Sequence, residues 1–170
     1  MQKRTIQGGN PMRILFVCVH NSARSQMAEA YLRRFSTKAE AVESAGLDPT
    51  SINPLVVRVM AEDGIDLSGA GTQRLFDLFR EGRLYDYVIT VCRESLEGQC
   101  PVFPGVVRRL HMPFDDPAAV TGSPEEQLAQ VRTIRDQIRQ AMEALAREID
   151  ARDLGPAAKR DPGGETCPKS

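Results

Sequence analysis

The chain is predicted to fold as a small α/β domain built on a parallel sheet, and three observations predict it. Met12–Val19 is a nearly continuous apolar run, as expected of a strand covered on both faces. Strand-like and helix-like segments alternate behind it, the pattern of parallel strands joined by right-handed crossovers. A long amphipathic segment then closes the ordered sequence with an uninterrupted apolar stripe.

Each element has its own local reason. After the first strand, Arg24–Phe35 carries Met27, Tyr31 and Phe35 at helical spacing. "AEAVESAG" reads as a second strand closed by Gly46. In "INPLVVRVMAEDG", Asn53 can cap a helix, Pro54 fits its first position and Gly64 can end it. "TQRLFDLFREG" is a short helix with Thr72 as its expected cap and Gly82 after its end. "YDYVITVC", rich in β-branched and aromatic residues, is the third strand, and "VVRRLHM" a weaker fourth. "SPEE" at 123–126 offers a capping box with proline in the first turn. The stripe behind it runs Leu128, Val131, Ile134, Ile138, Met142, Leu145 and Ile149, and is core.

Bulk properties bound the function. A length of 170 residues suggests one domain with a single buried core. A net charge of −1 and a pI near 6.2 give no electrostatic case for nucleic acid or an anionic membrane. No apolar run approaches a membrane span, and "MQKRTIQGGNPM" lacks the apolar region of a signal peptide. A cytoplasmic location is therefore expected. Residues 1–11 read as a flexible leader, 12–151 as the folded domain, and the Gly/Pro/Lys-rich 152–170 as a disordered tail.

In a reducing compartment, Cys18, Cys92, Cys100 and Cys167 are expected to be reactive thiols rather than structural disulfides. None forms a C-x-x-C pair and only two histidines are present, so no metal site is expected. Ligands of parallel α/β sheets bind at the carboxyl ends of the strands. Cys18, Cys92 and the loop after His111 all fall at such ends.

Cys18 ends the first strand, and Arg24 begins the following helix. Backbone N–H groups of Val19, His20, Asn21, Ser22 and Ala23, turned inward, would form an anion-binding nest at that joint. The helix start adds a positive dipole end, and Arg24 a planar fork for two oxygens of a tetrahedral oxyanion. Such a pocket should also favour the Cys18 thiolate. Lowering a thiol from about 8.5 to about 6 corresponds to roughly 3.4 kcal/mol. Ser25 is expected to donate a hydrogen bond to the sulfur, and Asn21 to brace the loop through its amide. His20 is expected to point outward.

"VCVHNSARSQMAEA" resembles the active-site loop of the low-molecular-weight tyrosine phosphatase-fold family, especially its arsenate reductase branch. The similarity continues through "SAGL", "INPLVVRVMAEDGIDLS", "YDYVITVC", "CPVFPG" and "HMPFDDPA", over about residues 12–149. It implies a three-layer sandwich with a four-stranded parallel sheet flanked by helices. It also implies that Cys18 is the nucleophile, Arg24 the oxyanion clamp and Asp116 the general acid, with Asp115 structural. By the same resemblance, Cys92 attacks Cys18 and Cys100 then attacks Cys92. The resulting disulfide is passed to thioredoxin, with Gly98 giving the intervening segment freedom to rearrange.

Phosphatases of this fold follow the aspartate–proline step with a tyrosine pair, whereas Asp116-Pro117 here precedes "AAVTG". They also commonly carry proline after the loop's "RS", where this chain has Gln26. Arsenate reduction is therefore the leading expectation. A tyrosine phosphatase and a non-enzymatic module responding to oxyanions or redox state are the alternatives. Some relatives hold potassium through residues corresponding to Asn21, Glu29 and Ser44, with an acidic fourth ligand near position 73. Gln73 stands there, so no cofactor requirement is expected. Cys167 matches nothing in the family and is taken as a spectator.

Overall fold

The computed structural model describes residues 12–93, 99–106 and 108–152. Its four strands are β1 (Met12–Cys18), β2 (Ala39–Gly46), β3 (Tyr87–Thr90) and β4 (Arg108–His111). They form one parallel sheet in the order β2-β1-β3-β4. The apolar run of β1 is explained by this order: it has a strand on either side and is buried from Ile14 to Cys18.

Helices α1 (Arg24–Phe35), α2 (Pro54–Glu62), α3 (Leu75–Arg80) and α4 (Pro124–Ala151) connect and cover the strands. The capping box of α4 forms as its sequence implies. Glu126 N–H donates to Ser123 Oγ at 3.2 Å, and the Glu126 carboxylate accepts from Ser123 N–H at 2.8 Å. Its stripe, from Leu128 to Ile149, is buried throughout. Asn53 caps α2 by accepting from Leu55 N–H at 2.9 Å, and Gly64 ends it in the left-handed region at φ 75°.

Some boundaries differ from the expectation. β1 stops at Cys18 because Val19 leaves the pairing with β2, and the Val19 carbonyl turns to the N–H of Asp48 instead. β3 and β4 are each shorter than their apolar runs, although Val91 N–H still reaches Val17 O at 3.0 Å before the chain bends at Cys92. Thr72 does not cap α3, which begins at Leu75 after Arg74 with no side-chain cap. The residues between are held instead by a bridge pairing Arg74 with Gly46. A 3-10 turn at Pro117–Ala119, unforeseen in the sequence, follows Asp116. Among the described residues no helix is long and apolar enough to cross a membrane. The leader, most of the tail, Gly98 and Cys167 lie outside the described residues.

Candidate active site

Cys18 lies opposite Gly46 in the register of β1 and β2, at the carboxyl edge of the sheet. The five residues between it and Arg24 form a loop whose carbonyls point outward onto the segment after β2. Leu47, Asp48, Thr50 and Asn53 N–H groups donate to the carbonyls of Cys18, Val19, His20 and Ser22 at 3.2, 2.8, 3.0 and 2.9 Å. A trans peptide carries its N–H opposite its C=O. Binding the carbonyls outside therefore turns the N–H groups of Val19, His20, Asn21 and Ala23 inward, which makes the nest.

Two features hold this shape. Gly46 lies directly beneath the loop, where an added Cβ would stand 2.8 Å from Asn21 N and Val19 O, and 2.9 Å from His20 C. Only glycine leaves that space. Asn21 takes φ 51°, a left-handed conformation, and is wholly buried. Its Nδ2 donates to Ser25 Oγ and Ser44 Oγ, each at 2.9 Å. Its Oδ1 accepts from Gln73 N–H at 3.0 Å and Gln26 Nε2 at 3.2 Å. Asn21 thus braces the loop as its sequence position suggests. Helix α1 opens after Ala23 with no side-chain cap, which leaves its first N–H groups available to an anion.

The Cys18 thiol is pulled down to about 6. Its largest cause is a hydrogen bond from the Cys92 thiol, followed among the favourable ones by the Arg24 charge and the N–H groups of Val19 and His20. Burial opposes them. Ser25 is buried at the start of α1, where its Oγ accepts from Asn21 Nδ2 and its own hydroxyl proton is left to donate. His20 points outward, its Nδ1 at 3.1 Å from the Asp48 carbonyl, so only its backbone serves the pocket.

Arg24 is buried and aimed across the pocket toward the loop after β4. Its Nη1 donates to Phe114 O at 3.2 Å, and its Nη2 lies 3.5 Å from Asp116 Oδ2. Asp116 is held by the 3-10 turn, its Oδ1 accepting from Ala118 N–H at 2.9 Å. Asp115 turns away to pair with Arg93 at 2.7 Å. One carboxylate therefore faces the clamp and its neighbour faces solvent. Ala118 and Ala119 are exposed beside it and offer no aromatic wall.

Cys92 is fully buried after β3, in contact with Cys18. Cys100 is half-buried, its Sγ directed to Pro101 O at 3.7 Å. Cys18, Cys92 and Cys100 are all in the reduced form. The sequence reading missed Gly46 as the floor of the loop and Phe114 as a partner of Arg24. It also missed residues 47–53 as the acceptors' counterpart. Gly46 had a signal, a glycine ending a strand, but its purpose depends on what crosses above it. Among the described residues, no cluster of three or more His, Cys, Asp or Glu could hold a metal ion.

Known proteins are similar to this chain over most of its length. An arsenate reductase of Shouchella clausii is 37% identical over 126 residues, covering 74% of this chain and 88% of the relative. A solved arsenate reductase in its phosphate-binding state superposes with a TM-score of 0.63 at 29% identity, over 81% of this chain and 98% of that one. The thioredoxin-dependent arsenate reductase of Corynebacterium glutamicum gives 0.59 at 30% identity, over 82% of this chain and 62% of that one. The profile of the low molecular weight phosphotyrosine protein phosphatases matches residues 13–154, carrying both the nest and the acid loop, and the chain belongs to that family.

Proposed function

We propose that the chain is an arsenate reductase that works through a thiolate nucleophile and an internal disulfide relay drained by thioredoxin. The observation that carries this reading is a second thiol, Cys92, fully buried after β3 and close enough to the Cys18 sulfur to lower its pKa, because a phosphatase needs no second thiol there. Relatives named for arsenate reduction, one of them thioredoxin-dependent, support it.

Arsenate sits in the nest, its oxygens on the inward N–H groups and on Arg24. The Cys18 thiolate attacks arsenic, an As–O bond breaks, and Asp116 gives a proton to the departing oxygen, which leaves as water. Cys92, as thiolate, then attacks the Cys18 sulfur. The S–As electron pair stays on arsenic, which falls from As(V) to As(III) and leaves as arsenite. The Cys18–Cys92 disulfide is opened by Cys100, releasing the Cys18 thiolate, which is a good leaving group because its pKa is low. The thioredoxin dithiol then reduces Cys92–Cys100 and takes up the oxidising equivalents. The proposed absence of an aromatic grip at Ala118 and Ala119 disfavours phosphotyrosine.

The test is a comparison of single and multiple turnover in Cys100→Ser. One equivalent of arsenite should be released at a near-normal rate, after which turnover with thioredoxin collapses and Cys18–Cys92 is the disulfide found. Cys92→Ser should block even the first release, and Cys167→Ser should change neither. Full steady-state activity in Cys100→Ser would refute the relay. Turnover of a phosphotyrosine analogue without arsenate-dependent thioredoxin oxidation would refute the reductase.

A further inference from the structure

The resemblance places a potassium ion in some relatives on residues corresponding to Asn21, Glu29 and Ser44. A hard cation is held by oxygen lone pairs directed at it. In this chain those oxygens face N–H and O–H donors instead. Asn21 Oδ1 receives Gln73 N–H and Gln26 Nε2, filling the two lone pairs a carbonyl offers. The Ser44 carbonyl receives Gln73 Nε2 at 2.9 Å. Ser44 Oγ lies between Asn21 Nδ2 and the Glu29 carboxylate, whose other oxygen pairs with Arg33 Nη2 at 2.8 Å. The residues present fit hydrogen-bond donors and an internal counter-charge, and do not fit a cation.

We propose that Gln73 is a positioning residue that takes the place of such an ion, holding the nucleophile loop through Asn21 and Ser44. Three bonds make it a clamp. Its N–H donates to Asn21, its side-chain amide to Ser44 O, and its carbonyl accepts from Gly46 N–H at 2.9 Å. It therefore grips the loop, the strand beside it and the glycine beneath it together. The donors on Asn21 Oδ1 also fix which way that amide faces. Turned over, its NH₂ group would meet two donors, and Ser25 and Ser44 would lose theirs. These four bonds hold Asn21 in its left-handed conformation. Gln26 assists from α1, its Nε2 also reaching Gly71 O at 3.0 Å and tying down the approach to Gln73.

The test compares the full chain with Gln73→Ala and Gln73→Glu in potassium chloride and in choline chloride at equal ionic strength. Two readouts are used, the melting temperature and the pH midpoint of Cys18 alkylation by iodoacetamide. Neither involves arsenate, so the outcome is separable from the proposed function. The unaltered chain should show the same values in both salts. Gln73→Ala leaves the buried Ser44 carbonyl without its amide and should melt about 5 °C lower, with the alkylation midpoint moved upward. Gln73→Glu replaces a donor with oxygens and should melt higher in potassium than in choline. A potassium-selective rise in the unaltered chain would overturn the proposal. So would a Gln73→Ala midpoint identical to that of the unaltered chain, since a merely structural residue would lower stability alone. If Gln73→Ala does not fold, the salt comparison on the unaltered chain and on Gln73→Glu decides.

Discussion

Replacing Cys92 with alanine should raise the pKa of Cys18 and separate two roles of one thiol. The Cys18 thiol stands at about 6, against an ordinary value of 9.0, and the hydrogen bond from Cys92 is the largest cause. A hydrogen bond to a charged group is worth about 1.5–3 kcal/mol. At 1.36 kcal/mol per unit, its loss moves the midpoint up by about one to two units, to between about 7 and 8. At neutral pH the thiolate fraction would fall from about nine-tenths to a half or less. The assay is the pH dependence of iodoacetamide alkylation, with the modified cysteine identified by mass spectrometry. The midpoint is the diagnostic quantity rather than the rate, because a more basic thiolate is intrinsically more nucleophilic. Cys92→Ser is the control: its hydroxyl can still donate, so the midpoint should stay near that of the native chain although the relay is broken. A midpoint in Cys92→Ala still near 6 would refute the reasoning. It would leave the thiolate to Arg24 and the loop N–H groups alone.

Asp116→Asn should slow formation of the first adduct by about 10²–10⁴-fold, the usual range for a general acid, and far more than Asp115→Asn does. Rapid-quench measurement decides, and a slower Asp115→Asn would mean the acid is wrongly assigned. Gly46→Ala should destabilise the fold by about 1–3 kcal/mol in urea and weaken phosphate protection of Cys18, because the new Cβ meets backbone rather than a movable side chain. Native stability and phosphate protection in that variant would show that the loop can shift freely. Cys18 also links stability to pH. Its folded pKa lies below its unfolded value, so it favours the native state above the unfolded pKa, and this is lost as pH falls through about 6. Three units correspond to at most about 4 kcal/mol between pH 9 and 6. Urea melts of Cys18→Ala should lack that part of the pH dependence; an unchanged profile would assign it to other groups.

The elements of the fold were legible because each rests on a local rule. A strand buried on both faces shows as an unbroken apolar run, and β1 shows one. A capped amphipathic helix shows as a capping box and a 3.6-residue stripe, and α4 shows both. The loop from Cys18 to Arg24 was legible for the same reason: nucleophile, nest and clamp are consecutive in the chain. What local pattern alone could not carry concerns partners far apart along the chain. That Cys92, 74 positions on, is the main donor to Cys18 depends on β3 lying beside β1. That Asp116 rather than Asp115 faces Arg24 depends on a 3-10 turn and on an ion pair to Arg93. Gln73 looks from the sequence like a missing acid, and becomes a triple hydrogen-bond clamp once α3's approach lies against Gly46. Local pattern determines which backbone conformations form, whereas a hydrogen bond is satisfied by whichever group the packed fold brings within reach.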